Sequence, residues 1–306
     1  MINECLTDKE RVQLAQKAYE GLNIGETVEI GQKAIGVLTR DVYAEDGMQA
    51  FLLENHTGPQ IEITVLFKGS YGLKKGNVTT WRDEWMKTNL PIFVNMVTDS
   101  RAVPSQLLTA AKYLNRWLLE FPKSRFYIYG HSLGAINAQY ALANCRHSGQ
   151  IAGAYLYEGT NIWRMLDRRQ RQMANHLRPK INAYVDIYDP VTLGYTATHK
   201  MVGRLHYIDS VQLKNPVKQH MWGGYRFDEH GRLLEKPVDA KFLLSSQRQG
   251  RFLSTTGELS ALLSGRKKLA EAASPKWQQL KEDLFNSSFM KEFSDRYDNF
   301  EGKDGQ

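Results

Sequence analysis

The chain has 306 residues and a formal net charge of +7, so it is long enough for a complete hydrophobic core and is moderately basic. A basic excess is consistent with binding to an anionic lipid surface, with binding to nucleic acid, or with a contribution to solubility alone. Because aromatic residues are not interleaved with basic ones as in RNA-binding motifs, we expect no nucleic-acid partner. The two cysteines, Cys5 and Cys145, exclude a disulfide framework, and no metal-ligand spacing occurs, so we expect neither a metal nor a cofactor.

The N-terminal residues carry no cleavable export signal. Residues 1–10 lack a basic start followed by an apolar stretch, which excludes a Sec signal peptide. No run of about 18 apolar residues occurs, so we expect no segment that spans a membrane. The protein is therefore expected to be cytoplasmic, or to be exported by a route that needs no cleaved signal.

The first part of the chain predicts one helix followed by strands. Thr7 and Glu10 match a capping box, which starts a short helix that ends near Tyr19. Residues 21–46 are mixed in character, and only residues 28–30 indicate a strand there. Two clearer strands, joined by a tight turn, are predicted at residues 49–55 and 61–67.

The second of these strands runs into a Gly-Ser loop. Such a loop after a central strand is a natural place for an oxyanion donor, so we expect the backbone N–H of Ser70 to serve there; an ordinary strand-to-loop turn explains the same residues. The long stretch 73–100 carries Trp81, Trp85 and Met86. These predict either a lid or acyl-binding wall, or a helix packed in the core.

The middle of the chain predicts a helix, a strand and another helix in series. Pro104 opens a helix with one apolar face, which Pro122 ends. Residues 126–129 are aromatic and β-branched, as in a buried strand, and residues 135–142 indicate a second helix. This order predicts an α/β fold with a mostly parallel central sheet flanked by helices.

Between that strand and that helix lies Gly130-His131-Ser132-Leu133-Gly134, with the spacing G-x-S-x-G. A strand that turns into a helix over so few residues must bend sharply, and the serine at the apex takes a strained conformation with its hydroxyl exposed. We therefore predict Ser132 as a nucleophile. The N–H of Leu133 is the second candidate oxyanion donor.

Two further segments follow the predicted nucleophile. Residues 151–157 predict the next strand. Residues 161–180 combine apolar side chains with several arginines, and this basic amphipathic pattern fits either contact with anionic headgroups or a solvated helix face.

A triad also needs an acid and a base. Residues 181–188 predict a strand, and Asp189 at its end is well placed to orient a histidine; it equally fits a turn cap, and Asp186 and Asp209 are alternatives. If the order is Ser, Asp, His, the base follows Asp189. We favour His220, in a loop with an aromatic rim, and the alternatives are His199, His206 and His230.

Together these segments resemble the class 3 lipase branch of the α/β-hydrolases, especially lipase-like proteins of Gram-positive bacteria. The resemblance covers about residues 45–226 and is carried by residues 66–70, 130–134, 189–191 and 220–225. In that family the positions of Ser132, Asp189 and His220 supply the triad, and that of Ser70 supplies an oxyanion donor. Lys68 stands where the family usually has Arg, and the interval of 31 residues (220 − 189) between acid and base is short for it.

We expect an α/β-hydrolase domain over residues 1–240. From about residue 240 the sequence becomes polar and then has helical spacing, which predicts a helical C-terminal extension, residues 241–306, that packs on the domain or docks a partner. The resemblance implies a lipase or phospholipase A that cleaves acyl esters of glycerolipids at a membrane or micelle surface, with Trp222 joining the lid and substrate set. Related lipases include effectors exported by the type VII system, for which the extension would bind a chaperone or secretion partner. The alternatives are a small-ester esterase or thioesterase on the same fold, and an inactive pseudo-hydrolase that binds lipid or partners.

Overall fold

The computed structural model describes residues 1–69, 103–189, 191–192, 194–195 and 197–247. Within them lies one eight-stranded sheet whose spatial order follows the chain order. The strands are β1 (Thr27–Ile30), β2 (Lys33–Tyr43), β3 (Gln49–Asn55), β4 (Glu62–Phe67), β5 (Arg125–His131), β6 (Ile151–Tyr157), β7 (Ile181–Val185) and β8 (Arg204–Tyr207). Strands β1 to β4 pair antiparallel, and β4 to β8 pair parallel.

The helices longer than one turn are α1 (Asp8–Lys17), α2 (Ser105–Glu120), α3 (Leu133–Ala143) and α4 (Arg168–Leu177). A short helical segment, Pro216–Lys218 continued by Gln219–Gly223, follows β8. The sheet and its flanking helices confirm the predicted α/β class. The predicted capping box is present, since the Thr7 hydroxyl accepts the N–H of Glu10 at 3.3 Å and the Glu10 carboxylate accepts the N–H of Thr7 at 2.8 Å.

Both faces of the sheet are covered. In β5, Phe126 and Ile128 face the core beneath α2, α3 and α4, whereas Tyr127 and Tyr129 face the core beneath α1. Because strands buried on both faces have no polar side, they are continuously apolar in sequence, as β5 is. The carboxyl ends of the parallel strands therefore meet at one protected edge, and the candidate site lies there.

Strand β2 is the main element that the sequence did not predict. It contains Gly36, which lies so close to β3 that a Cβ there would be 2.8 Å from the carbonyl oxygen of Glu54. Its pairing with β3 shifts register between Leu38 and Arg40, and this bulge breaks the alternation on which a strand prediction depends. The pairing with β3, and not a regular alternation in its own sequence, therefore defines this strand.

The predicted domain boundary at residue 240 coincides with the start of a helix over residues 240–247. Phe242 in this helix is buried against Val185 and Tyr207, so the first turns beyond the boundary pack on the sheet edge. The remainder of the predicted extension lies outside the described residues.

Candidate active site

Ser132 occupies a strained turn between β5 and α3, with φ 57° and ψ −127°. A residue other than glycine held in this region costs on the order of 1–3 kcal/mol, which the surrounding structure must supply. Its N–H donates to the carbonyl of Tyr157 at 3.0 Å, and its own carbonyl accepts the N–H of Ala135 at 3.0 Å. These bonds hold the bend that the G-x-S-x-G spacing predicts.

Two glycines let neighbouring backbone approach this turn. A Cβ on Gly134 would lie 2.1 Å from the carbonyl oxygen of Phe67, so the first turn of α3 rests directly on the end of β4. A Cβ on Gly69 would lie 3.1 Å from Cβ of Ser132. The loop after β4 therefore begins beside the serine, where an oxyanion donor is predicted. Ser70 itself lies outside the described residues.

His220 and Asp189 meet at the same edge of the sheet. Nδ1 of His220 lies 2.7 Å from Oδ2 of Asp189, and both side chains are fully buried. The other carboxylate oxygen accepts the N–H of Val191 at 2.8 Å, which fixes its orientation. An imidazole that donates through Nδ1 presents Nε2 as an acceptor, and this is the tautomer that a general base needs.

Burial controls the protonation of this pair. It lowers the pKa of His220 to about 3, so the imidazole is neutral at neutral pH. Burial also raises the pKa of Asp189, while the N–H of Val191 opposes that effect. Because the Nδ1–H of His220 adds a second donor, the hydrogen bonds around Asp189 favour its ionised form.

The predicted nucleophile, Ser132, and the predicted base, His220, do not form a hydrogen bond in this conformation. Nε2 of His220 makes no hydrogen bond to any described residue, the Ser132 hydroxyl included. Ser132 is 5% exposed and His220 is 0% exposed, so the site is shielded from water. In unliganded enzymes catalytic hydrogen bonds are often long and tighten only when substrate binds.

His131, the residue before Ser132, forms a hydrogen bond to the backbone of His220, the predicted base. Its Nε2 lies 2.8 Å from the backbone carbonyl of His220, and its Nδ1 lies 2.6 Å from the Tyr19 hydroxyl. A carbonyl can only accept, so Nε2 carries the hydrogen and Nδ1 accepts from Tyr19. Gly69 lies close to the same hydroxyl, since a Cβ on it would be 2.2 Å from that oxygen. Burial, and secondarily the proximity of His220, lowers the pKa of His131, which keeps it neutral.

The sequence did not predict the hydrogen bonds that join Tyr19, His131 and His220. The G-x-S-x-G spacing leaves the position of His131 unspecified, so its place next to Ser132 was the one signal for a role. Tyr19 gave none, because its partner is 112 residues away in the chain.

The alternative acids have other roles. Asp186 is also buried, and its carboxylate accepts the side-chain N–H of Gln219 at 2.6 Å, which braces the residue next to His220. Asp209 forms an ion pair with Arg226 at the surface. Neither is hydrogen-bonded to His220 in the described structure.

The alternative histidines lie elsewhere. Both ring nitrogens of His206 are engaged, Nδ1 with Glu235 at 2.8 Å and Nε2 with Asn182 at 3.0 Å. His199 and His230 are exposed. The geometry thus brings His220, and none of these three, to the predicted acid.

Only some of the residues predicted to bind the oxyanion or the substrate lie within the described part of the chain. Leu133 is the first residue of α3, where backbone N–H groups lack partners within the helix, so its N–H is available for an oxyanion. Trp222 is 5% exposed and packs with its ring centroid 3.8 Å from that of His131, whereas the sequence had placed it at a rim. Trp81, Trp85 and Met86 lie outside the described residues.

A buried glutamate, which sequence reasoning missed, lies behind the acid. Glu158 follows β6 directly, is 0% exposed and has φ 50°. Its carboxylate oxygens contact the hydroxyls of Thr192 and Tyr225, and one of them accepts the N–H of Asp186 at 3.2 Å. The available signal was a charged residue at the end of an apolar strand.

Across the described ranges, no group of three His, Cys, Asp or Glu side chains could hold a metal ion. The helices in the same ranges include none with the length and apolar character needed to cross a membrane.

No family model matches this chain, and no curated protein matches it in sequence. Solved structures similar to it include a mutant form of MDLA from Penicillium cyclopium (15% identity, TM-score 0.41, 75% of this chain and 85% of that chain). A triacylglycerol lipase from Penicillium expansum is 12% identical, with TM-score 0.38, over 76% of this chain and 90% of that chain. Lip2 lipase from Yarrowia lipolytica is 11% identical, with TM-score 0.37, over 79% of this chain and 93% of that chain. At such identity the likeness concerns the backbone fold and does not extend to activity.

Proposed function

We propose that this chain is a serine carboxylester hydrolase in which Ser132 is the nucleophile, His220 the general base and Asp189 the acid that orients it. The proposal depends most on the buried 2.7 Å bond between His220 and Asp189, which leaves Nε2 of the imidazole as an unused acceptor. The strained turn at Ser132 and the His131 contact to His220 bring nucleophile and base to the same edge of the sheet.

In the proposed reaction, Nε2 of His220 takes the hydroxyl proton of Ser132 as its oxygen attacks the acyl carbonyl. The N–H of Leu133, with Ser70 as the proposed second donor, stabilises the oxyanion; removing one such donor typically costs about 3 kcal/mol of barrier. The imidazolium, which Asp189 stabilises, then protonates the leaving alcohol. Water, activated by the same histidine, releases the acid from the acyl-enzyme.

We propose a lipid ester as the substrate, with phospholipid favoured over triglyceride. Exposed cations at the start of α4 support an anionic surface as the site of action, since Arg164, Arg168 and Arg169 are exposed and form no ion pair with a described residue. Two other arginines of the predicted basic segment form hydrogen bonds that stabilise the fold. Arg171 donates to the Trp163 carbonyl, and Arg178 donates to four backbone carbonyls.

Substitution of Ser132 by Ala tests the catalytic assignment. We expect wild type to hydrolyse p-nitrophenyl esters and to react with a fluorophosphonate probe at Ser132, and the folded Ser132→Ala variant to do neither. If folded wild type never takes up the probe, the chain is a pseudo-hydrolase. Rates of hydrolysis for esters of increasing acyl chain length distinguish a lipase from an esterase. A maximal rate with short acyl chains would favour a small-ester esterase.

Vesicles of neutral and anionic phospholipid test the substrate class. We expect release of fatty acid or lysophospholipid by wild type and none by Ser132→Ala, with faster release from anionic vesicles. Reversal of the charges of Arg164, Arg168 and Arg169 should remove that preference and leave hydrolysis of a soluble ester unchanged. An equal rate on both vesicles would contradict a role for these arginines.

For residues 241–306 we propose a docking role, for a chaperone or an export partner. The burial of Phe242 supports only the first turns as part of the core. A chain that ends after residue 247 should keep ester hydrolysis and lose binding of the partner; loss of folding instead would assign the segment to the core.

A further inference from the structure

The proposed base, His220, lies on a loop outside the sheet, which we call the base loop (residues 210–224). After β8 the chain runs through residues 209–215 without a helix or strand, and His220 follows in a short helical segment. The N–H of Val211 donates to the carbonyl of Gly224 at 2.8 Å and closes the loop. Because a misplacement of about 1 Å can lower a catalytic rate by about 100-fold, a base on such a loop needs a fixed attachment to the core.

The side-chain amide of Gln219, the residue before His220, fills the inside of the base loop. Its Oε1 accepts the N–H of Leu213 at 2.6 Å, and because a backbone N–H can only donate, this bond determines which end of the amide is the oxygen. Its Nε2 therefore donates to the carbonyl of Val211 at 3.1 Å and to Oδ2 of Asp186 at 2.6 Å. Both N–H groups and the oxygen of this buried amide are thus engaged.

Asp186 is the attachment of the loop to the core. It follows β7 directly, and its side chain is completely buried. Besides the Gln219 amide on Oδ2, its Oδ1 accepts the Ser210 hydroxyl at 2.6 Å and the N–H of Tyr188 at 2.9 Å. Burial raises the pKa of Asp186, and these three donors oppose that effect because they stabilise a carboxylate. Two of the three donors, Ser210 and Gln219, belong to the base loop.

The turn that carries Asp186 also carries the acid of the proposed triad. The N–H of Asp189 donates to the carbonyl of Asp186 at 3.1 Å. Asp186 binds the side chain of Gln219 at 2.6 Å. Asp189 binds the ring of His220 at 2.7 Å. Two aspartates of one turn therefore hold two consecutive residues of the base loop, one through a neighbouring amide and the other through the imidazole itself.

We propose that Asp186 is a positioning residue for the base: its carboxylate holds the base loop, and with it His220, beside Asp189. It does so through the amide of Gln219 and the hydroxyl of Ser210, and it touches none of the reacting atoms. The proposal rests on the proposed triad for its effect on catalysis, whereas its effect on the loop does not depend on the triad.

Exchange of the amide and the carboxylate between positions 186 and 219 tests this bond. In Asp186→Asn, the N–H of Tyr188 keeps the oxygen of the new amide on its own side, so the new NH2 group faces Nε2 of Gln219, donor against donor. We expect kcat to fall by about 10- to 100-fold with KM within about twofold of wild type, since the base moves and the substrate site does not. Gln219→Glu places two carboxylates side by side and should lose at least as much.

The double variant, Asp186→Asn with Gln219→Glu, again sets a donor against an acceptor. We expect its kcat to exceed that of either single variant by about fivefold or more. The recovery is partial, because a carboxylate at position 219 cannot donate to the carbonyl of Val211. Independent losses with no recovery, or a wild-type kcat in Asp186→Asn, would overturn the proposal. The matched control is Asp209→Asn, which changes an aspartate that pairs with Arg226 at the surface and should keep the wild-type kcat.

Ser210→Ala is the milder variant and serves if Asp186→Asn does not fold. It removes one donor and leaves the bond between Asp186 and Gln219. We expect kcat to fall by about three- to tenfold, with faster hydrogen exchange in the base loop. Unchanged kcat and unchanged exchange in this variant would overturn the proposal.

Hydrogen exchange of the base loop does not require catalysis. The amides of Val211 and Leu213 should be protected in wild type and exchange at least about tenfold faster in Asp186→Asn, with protection restored in part by the double variant. If this protection depends on Asp186 while folded wild type never reacts with a fluorophosphonate probe, the positioning assignment stands and the proposed hydrolase activity fails. An active wild type whose loop exchanges no more slowly than that of Asp186→Asn would overturn the role of Asp186 and leave the proposed activity intact.

Discussion

The imidazole of His131 lies with its Nε2 2.8 Å from the backbone carbonyl oxygen of His220, and the two rings are 4.6 Å apart between centroids. One histidine, next to the proposed nucleophile, thus holds the backbone of the other, the proposed base. We predict that His131→Ala lowers kcat/KM by about 10- to 100-fold, since it leaves a buried carbonyl unpaired and frees the segment that carries the base. Ester hydrolysis by the purified variant measures the loss.

The control for this prediction is His56→Ala, an exposed histidine of the β3–β4 turn, which should hydrolyse the ester at the wild-type rate. His131→Ala with full activity would mean that other contacts hold the base in place.

The hydroxyl of Tyr19 lies 2.6 Å from Nδ1 of His131 and donates to it, because the hydrogen of that ring is on Nε2, which bonds to the His220 carbonyl. Tyr19→Phe removes this bond with little loss of volume. We expect a fall in kcat of about tenfold with KM nearly unchanged, since the loss affects the placement of His220 and of the loop after β4, and affects substrate binding little. Tyr113→Phe is the matched control, because its hydroxyl makes no hydrogen bond within the described part of the chain. A rise in KM with unchanged kcat would instead place Tyr19 in substrate binding.

The sequence predicted the turn at Ser132 because the requirement is local: a strand, two glycines and a helix within about ten residues determine it. It also predicted β3, β6 and α3 nearly to the residue, since their apolar patterns are continuous. Strand β2 was missed because its stability comes from β3, across a bulge that no local pattern encodes.

The surroundings of the triad could not be predicted for a different reason. Tyr19 lies 112 residues from its partner His131, and Tyr225 lies 67 residues from its partner Glu158, so these contacts form only once the sheet is assembled. Burial and the carboxylates of Asp189 and Asp186 raise the pKa of Glu158, and none of these causes can be read from its local sequence. The local sequence pattern predicts helices and strands, whereas the protonation states of buried side chains depend on tertiary contacts.

Because α3 lies very close to β4 at Gly134, we expect a single methyl group added there to lower the stability of the fold. In Gly134→Ala, the new Cβ would meet the carbonyl oxygen of Phe67 at 2.1 Å, and since that atom is backbone, either the helix or the strand must move. We expect a loss of about 3 kcal/mol in the free energy of unfolding, near the upper end for overpacking, measured by chemical denaturation. Gly149→Ala, where the added Cβ meets nothing within 4 Å, should stay within about 0.5 kcal/mol of wild type. Equal stability of the two variants would contradict the close packing.

Burial of neutral His220 predicts a loss of stability on acidification. Its pKa falls from the usual 6.5 to about 3 on folding, so between these pH values the unfolded chain binds a proton that the folded chain does not. Stability from this group is therefore complete above pH 6.5 and declines as the pH falls towards 3, by at most about 5 kcal/mol. The raised pKa of Glu158 acts in the opposite direction, because its ionisation in the unfolded chain, above its usual value of 4.5, favours unfolding as pH rises.

The two contributions can be separated by substitution. Unfolding by urea across this pH range should show a shallower acid slope for His220→Gln than for wild type, by up to one proton, since the titrating imidazole is gone. The Gln variant of His176, an exposed residue of α4, should keep the wild-type slope and thereby control for loss of a histidine from the unfolded chain alone. If the acid slopes of wild type and His220→Gln coincide, His220 takes up its proton at the same pH in the folded and the unfolded chain, which would contradict its burial as a neutral imidazole.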